Sequence, residues 1–596
     1  MTYTAPLADM RFALREVAGL HQVASLPGYE HATDDTIDAV LEEAAKLSGN
    51  GLAPLNREGD KVGAKLENGV VRTAPGFASI YKEFVDGGWN SLPFDPEFGG
   101  QGMPWLLAAT VQEMWQAANM GFGLVLLLNQ GAIDAIHHHG SAEQKATFLP
   151  RMISGEWTGT MNLTEPQAGS DLAQLKCRAV KTGDHYLITG QKIFITYGEH
   201  DMAENIVHLV LARTPDAPPG VRGISLFIVP KLLVGADGKP GRRNDLRCVS
   251  LEHKLGIHAS PTCVMSFGDD GGAEGYLVGE QGRGLSYMFT MMNNARLSVG
   301  IQGLAIAERA YQQAAAFAKS RVQSKDDGSA KPEPVAIIHH ADVRRMLMTM
   351  RAQIEAMRAL GYYTAAGIDG ALKHPDKEIA RKTQDRVDLL IPIVKAWFTD
   401  LGNEIASIGV QVHGGMGFIE ETGAAQHLRD ARILPIYEGT NGIQARDLVG
   451  RKIAKDGGET MFALVSEMRA LADEMKAAAG DDMAAIRTAL AAGADALEQA
   501  TMWVAEAAKA ELVAALAGST PFLRLAGTAL GGWLLAKGAL AAQAKLAGRD
   551  GDPRFLEAKI VTARFYVEVI LPPALAQLGP LKAAGRTVFA LEEAQF

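Results

Sequence analysis

Arg432-Ile433-Leu434-Pro435-Ile436-Tyr437-Glu438-Gly439-Thr440-Asn441 is the stretch on which the reading of the whole chain turns. Pro435 stops regular structure, and Gly439 permits backbone angles that other residues avoid. Thr440 or Asn441 then offers an N-cap to the amphipathic run Ile443 to Ile453. Glu438 is therefore expected in a loop between an apolar segment and a helix start. Flanked by Ile436 and Tyr437, its carboxylate is expected to be partly desolvated, which would raise its proton affinity towards the range useful to a general base. A solvated loop glutamate satisfies the same residues, so the stretch alone leaves both readings open.

Working outward, the 596 residues exceed what one hydrophobic core supports, and several domains are expected. Hydrophobic residues at 47% and charged residues at 21% are ordinary for a soluble globular protein. A net charge of -10 with no long Lys/Arg run argues against a nucleic-acid partner. Cys177, Cys248 and Cys263 form no Cys-x-x-Cys pair, so neither a metal site nor a disulfide framework is expected. A reducing, cytoplasmic compartment fits. Met1 to Leu26 carries Asp9 and Glu16 and does not read as a signal peptide. Leu525 to Leu535 is the most apolar stretch near the end. Arg524 and Lys537 bound it short of the roughly 20 apolar residues of a membrane span, so a buried helix is expected.

The pattern along the chain predicts an α+β multidomain protein. Residues 1–159 read as a helical domain, with Ile37, Val40, Leu41, Ala44 and Leu47 on one face of a helix capped by Asp34. His137, His138 and His139 point in different directions on a helix and read as an exposed helix end. Residues 160–280 read as a β-domain of the barrel or sandwich kind. Its strands are Tyr186 to Thr189, Lys192 to Thr196, Val207 to Arg213 and Ile224 to Pro230. Residues 281–455 read as a four-helix-bundle domain built on Leu285 to Ala318, Val343 to Tyr363 and Lys382 to Ile408, the last kinked at Pro392. Gln323 to Pro334 reads as a flexible loop between two of these helices. Residues 456–596 read as an additional helical domain with no titratable cluster that suggests chemistry.

Three more motifs carry possible chemistry. Met161 to Asp171 is a Pro/Gly-shaped turn in which Thr164, Ser170 and backbone amides can hold the polar edge or phosphates of a cofactor. In Lys192 to Gly198, Phe194 and Thr196 fall on one face of a strand, where a ring and a hydroxyl can meet a flat heterocycle. In Gln411 to Phe418, Gly414 and Gly415 let a backbone approach a pyrophosphate, although no strand–turn–helix context makes this a dinucleotide fingerprint. Each is weak alone.

In this order and spacing the four motifs resemble the acyl-CoA dehydrogenase family, from about Pro75 to Lys452, with Glu252-His253-Lys254-Leu255-Gly256 as a further marker. The resemblance implies a helical, a β- and a four-helix domain, FAD as cofactor, and a homodimer or dimer of dimers. It implies that Glu438 removes the α-proton of an acyl-CoA thioester while the β-hydrogen leaves as hydride to flavin N5, giving a trans-2-enoyl-CoA. Leu163, Thr164 and Ser170 match flavin-edge and pyrophosphate contacts. Phe194 matches the aromatic over the flavin, and Thr196 the hydroxyl near N5. Gln411, Gly414 and Gly415 match contacts to the FAD of a partner subunit, as does Arg321. Thr440 matches a further FAD contact. Arg296 matches an arginine near the CoA end of the substrate, and Ser170, Tyr437, Glu438 and Gly439 match substrate contacts.

Ala295 fills the place where isovaleryl-type members carry their base, which leaves Glu438 as the candidate. Gly442, Asn293 and the long Gln323 to Pro334 loop depart from the family pattern. The opening Tyr3 to Phe12 and the long helical tail resemble the long bacterial branch. That branch implies 3-(methylthio)propanoyl-CoA or a short- or medium-chain fatty acyl-CoA as substrate. An electron-transferring flavoprotein is the expected acceptor. The rival readings are a long-chain acyl-CoA dehydrogenase, an acyl-CoA oxidase, which shares the folds, and a non-enzymatic flavin or acyl-CoA binding scaffold.

Overall fold

The computed structural model describes residues 3–326, Gly328 and residues 333–596; the side chains of residues 289–293, including Asn293, lie outside that description, as do Asp327 and Pro332 of the expected loop. Local capping sets the amino-terminal helices. Asn119 accepts the Phe122 N–H at 3.1 Å and so caps Met120–His139. Ser141 and Gln144 form a reciprocal capping box at the head of Ala142–Ser154. The helix Asp34–Lys46 buries Ile37, Leu41 and Ala44, and its first turn is met by the Thr33 hydroxyl rather than by Asp34.

The chain divides into two compact units, each drawing on distant segments. The first comprises residues 3–5, Glu42–Met103 and Met114–Ser298. Its centre is an eight-stranded sheet. The path runs Leu246–Leu251, Thr262–Phe267, His185–Thr196, Ala273–Leu277, Ile224–Pro230, Asn205–Arg213 and Trp157–Asn162, with Arg178–Thr182 beside His185–Thr196. Neighbours along the path are antiparallel except at Trp157–Asn162, which runs parallel to Asn205–Arg213; Arg178–Thr182 also touches Asn205–Arg213 in parallel at one pair. Alternating side chains put Ile188, Val210, Phe227, Val229, Met265 and Phe267 into one core. Trp157–Asn162 is buried throughout, so its hydroxyls need partners. Thr158 bonds His200 at 2.8 Å and Thr160 bonds His208 at 2.7 Å. Burial pushes both imidazoles down to about 3.

The second unit comprises Pro6–Leu41, Pro104–Glu113 and Val299–Phe596. Three long helices dominate its first part: Gly284–Ser320 from Val299 on, Ala341–Lys373, and Lys377–His413, which runs through Pro392 as one helix. A Cβ on Gly303 would stand 2.6 Å from the Phe398 carbonyl oxygen, so glycine there permits the close crossing. The fourth element is short: Asn441–Asp447, continued through the wider turn Leu448–Ile453. The segment expected to be a flexible loop instead begins and ends as paired strands, Val322–Lys325 with Pro334–Ala336.

The tail contributes Glu459–Glu474, Asp481–Ala510, Ser519–Gly548 and Pro553–Phe565, among shorter helices. Ser519–Gly548 runs past both Arg524 and Lys537 and packs on the Ala341–Lys373 and Lys377–His413 helices. Among the described residues it and Met120–His139 are long and apolar enough to cross a membrane, and both are mostly buried within the protein.

A buried charge cluster ties this unit together. Arg358 Nη2 meets Glu113 at 2.5 Å and Glu308 at 2.8 Å, and the guanidinium also pairs with Asp9. Lys559, in the tail, pairs with Asp9 and with Glu355 at 3.1 Å. Tail sequence that carried no visible titratable cluster thus supplies one cation to it. Asp369 works similarly, accepting the Trp105 and Leu106 N–H groups at 2.8 and 2.9 Å and the Tyr29 hydroxyl at 2.6 Å.

Candidate active site

In the first unit a turn and a bulged strand lie side by side. Glu165 and Ala168 exchange backbone hydrogen bonds and close the turn. The Glu165 carboxylate accepts from Lys192 Nζ at 2.8 Å, from the Lys176 and Cys177 N–H groups at 2.6 and 3.1 Å, and from Gln167 at 2.7 Å. Burial pushes this carboxyl up, but the Lys192 ammonium and the two N–H donors more than offset it and hold it at about 2. Lys192 also donates to the Leu163 carbonyl at 3.0 Å, and Ile193 N–H to the Thr164 carbonyl at 3.0 Å. Leu163 and Thr164 are therefore fixed against the strand carrying Phe194 and Thr196, while Ser170 is exposed in the turn.

Phe194 departs from simple alternation. Cys263 pairs with Ile195 but Met265 pairs with Lys192, so Ile193 and Phe194 together face one residue, Val264. The extra residue is a β-bulge, and it places Phe194 at φ +61° with its ring 58% exposed. Thr196 stays in register opposite Thr262 and is half-buried. The bulge breaks the alternation before Phe194, so Lys192 lies with Ile195 on the buried face, while Phe194 and Thr196 share the other face as expected. An exposed aromatic ring on a strained backbone, beside a turn bearing hydroxyls and N–H groups, fits a flat heterocycle with a polar edge. Arg296 and Ala295 are buried on Gly284–Ser320. Beside them Asn294 donates to Asp134 at 3.0 Å, and burial pushes the Asp134 carboxyl up to about 7.

In the second unit the remaining residues form two groups. Phe317 and His413 pack ring against ring at 4.5 Å, bringing the helix end before Arg321 to the helix end that carries Gln411, Gly414 and Gly415. All four residues are exposed. Gly414 has φ +60°, and a Cβ on it or on Gly415 would meet nothing within 4 Å, so the backbone there is open to a ligand. The second group is the Tyr437–Asn441 turn, anchored to Lys395 through the Gly439 carbonyl and to Ala396, Thr399 and Asp400 through the Asn441 side chain. Sixteen residues separate Lys395 from Gln411 on one helix, which is about 24 Å along its axis. The two groups are separate places on one chain.

Glu438 is half-buried and has φ +56°, a left-handed conformation that costs a residue with a Cβ. Gly439 follows at φ +81°. Several bonds hold these angles. Gln444 donates to the Glu438 carbonyl at 3.1 Å, and Lys395 Nζ to the Gly439 carbonyl at 2.8 Å. The Asn441 N–H reaches back to the Pro435 carbonyl at 3.0 Å, and the Thr440 hydroxyl caps the next helix by accepting from Ile443 at 3.3 Å. The Tyr437 hydroxyl donates to Gln302, and burial with the nearby Glu438 charge keeps it protonated. Of the residues that do this holding, Glu165, Lys192, Lys395 and Gln444 escape a reading of the sequence, because each partner is distant or a backbone atom.

Comparison with known proteins follows this geometry. Family models match along the chain: acyl-CoA dehydrogenase N-terminal domain at 35–156, middle domain at 160–269, C-terminal domain at 282–454, and acetyl-CoA dehydrogenase C-terminal like at 464–592. The chain belongs to the acyl-CoA dehydrogenase family of FAD-dependent oxidoreductases. In particular it is 51% identical to 3-methylmercaptopropionyl-CoA dehydrogenase of Ruegeria pomeroyi, over 97% of each chain. It is 37% identical to a butyryl-CoA dehydrogenase of Syntrophomonas wolfei, over 100% of this chain and 99% of the other. A solved chain from work on the electron transferring flavoprotein of Acidaminococcus fermentans is 28% identical with a TM-score of 0.57, covering 70% of this chain and 97% of that one.

Proposed function

We propose that this enzyme desaturates a short acyl-CoA thioester between its α and β carbons, with Glu438 as the base that takes the α-proton. The observation that carries the reading is the Glu438 turn. A half-buried carboxylate is presented on a strained backbone, and cross-links from two other helical residues hold it there. Strain of this kind persists where the surrounding structure over-determines it, and it clusters at functional sites.

Removing a weakly acidic α-proton requires the carboxylate to be placed before the reaction and the thioester oxygen to be stabilised as charge develops. The resemblance assigns one donor for that oxygen to the Glu438 N–H. When bound, FAD supplies the acceptor for the β-hydrogen as hydride. Phe194 and Thr196, with Leu163, Thr164 and Ser170, are the residues of this chain suited to hold it. Thr440 serves beside the base, and Arg296 serves the CoA end. Arg321, Gln411, Gly414 and Gly415 lie far along the helix from the base. That separation supports a role towards the cofactor of a second subunit in a homodimer.

The relatives support a short substrate, with 3-(methylthio)propanoyl-CoA first and butyryl-CoA second. The Acidaminococcus similarity supports an electron-transferring flavoprotein as acceptor. An acyl-CoA panel run with and without such an acceptor tests both points. Turnover of 3-(methylthio)propanoyl-CoA with the acceptor and little hydrogen peroxide in air is expected. Fast peroxide formation without an acceptor would make the protein an oxidase, and preference for a long chain would overturn the substrate.

A further inference from the structure

Lys395 sits in an apolar stretch of Lys377–His413 and is fully buried. A buried ammonium is costly unless its surroundings repay the lost hydration. Here its Nζ donates to the Gly439 carbonyl and to Asn441 Oδ1, both at 2.8 Å. Asn441 Nδ2 in turn donates to Asp400 at 2.7 Å and to the Thr399 hydroxyl at 2.9 Å. One amide therefore bridges the cation and a carboxylate, and all three anchors come from neighbouring turns of a single helix. Burial pushes the Asp400 carboxyl up, against the opposing pull of the Asn441 hydrogen bond and the Arg524 and Lys395 charges.

What this arrangement grips is the peptide immediately after Glu438. Glu438 and Gly439 are consecutive left-handed residues. A Cβ on Gly439 would stand 2.9 Å from Gln444 Nε2, so a larger residue there would push against the Gln444 amide. Gln444 Nε2 donates to the Glu438 carbonyl at 3.1 Å and more weakly to the Gly439 carbonyl at 3.4 Å, and Lys395 donates to the Gly439 carbonyl at 2.8 Å. The Lys395 bond is charge-assisted and the strongest of the three.

We propose that Lys395 is a positioning residue for the reaction: its buried ammonium clamps the Gly439 carbonyl and keeps the Glu438 carboxylate aimed from a strained turn. The proposal rests on Glu438 being the base. Lys395 acts through the backbone and touches no reacting atom, so its loss reduces proton abstraction more than acyl-CoA binding.

The test compares the holoenzyme with Lys395→Met, which keeps the length and loses the charge, and Lys395→Gln, which keeps a donor. FAD content, acyl-CoA KM, anaerobic flavin bleaching and α-proton exchange into D2O are measured for each. In the Met variant FAD content and KM stay within about threefold while bleaching and exchange fall about 10–100-fold, with Gln between Met and parent. Rates within about threefold of the parent overturn the clamp, and so does a rate loss matched by lost FAD or raised KM. If Met does not fold, Gln is judged by the same limits; if neither holds FAD, Lys395 belongs to folding and the proposal falls. Lys395 variants equal to the parent beside an inactive Glu438→Gln refute the clamp alone. Glu438→Gln equal to the parent refutes the reading of the base instead.

Discussion

Consider the replacement Glu165→Gln. In the folded chain this carboxylate and the Lys192 ammonium are 3% and 0% exposed and 2.8 Å apart. The substitution keeps the shape of the side chain and removes the charge. Lys192 is then a buried cation without its counter-charge, left with the neutral acceptors of the new amide oxygen and the Leu163 carbonyl at 3.0 Å. Removing one partner of a buried pair costs about 3–5 kcal/mol, and that carbonyl favours the lower end, about 3 kcal/mol. The acidic limb gives the same sign. The carboxyl lies at about 2 in the fold against an ordinary 4.5, so its contribution is complete above about pH 4.5 and fades as pH falls towards 2. The assay is urea or thermal unfolding of parent, Glu165→Gln, Lys192→Met and the double variant, with FAD content read on each. The double variant should lose less than the sum of the singles by about 1–3 kcal/mol, since it leaves no unpaired charge. FAD retention should fall with Glu165→Gln, because the turn that carries Leu163, Thr164 and Ser170 loosens. A loss under about 0.5 kcal/mol, or strictly additive singles, would refute the claim that this pair holds the turn.

Other perturbations separate binding from packing. Phe194→Ala should change stability by no more than about 0.5 kcal/mol, because the ring is exposed, yet weaken FAD retention about threefold to tenfold; a large unfolding shift would make Phe194 a core residue. Lys559→Met should cost about 3 kcal/mol in unfolding, and Asp9→Asn in the same chain should restore part of it; no cost would mean the tail is not tied in through this cluster. His208 titrates at about 3 in the fold against 6.5 ordinarily, so the unfolded chain takes up a proton that the folded chain refuses. Stability should fall as pH drops below 6.5, by about 2 kcal/mol from this residue at pH 5, and His208→Gln should make that limb shallower.

Much of the architecture is legible because its signals are local. Pro435, Gly439 and Thr440 mark the Glu438 turn as punctuation, and Thr440 is indeed the cap. The change from helical to strand-like runs near Thr158 is equally local, and the first strand of the eight-stranded sheet begins at Trp157, after only the short pair Lys65–Glu67 and Val70–Arg72. What stayed hidden depends on partners far away in sequence or on a single inserted residue. Period-two alternation puts Lys192 on the face of Phe194 and Thr196, and one residue of bulge moves Lys192 to the buried face instead. Lys395 stands within Ile393-Val394-Lys395-Ala396-Trp397, where nothing adjacent indicates the carbonyl of Gly439 as its partner. Lys559 looks like any surface lysine of a helix until Asp9 and Glu355 are brought to it. The apolar segment Leu525 to Leu535 shows the converse. Its charged flanks suggested an end, but the helix continues, since Lys537 reaches the Val17 carbonyl at 2.8 Å and Arg524 pairs with Glu404 at 2.9 Å.

The account stands or falls on Glu438. The direct measurement is anaerobic stopped-flow mixing of 3-(methylthio)propanoyl-CoA with the FAD-loaded parent and with Glu438→Gln, following the flavin absorbance. The parent should bleach rapidly, and the variant should keep FAD and bind the thioester but bleach more slowly by at least the roughly 10²–10⁴-fold contributed by a general base. Bleaching of Glu438→Gln at close to the parent rate would contradict the account, whatever the substrate proves to be.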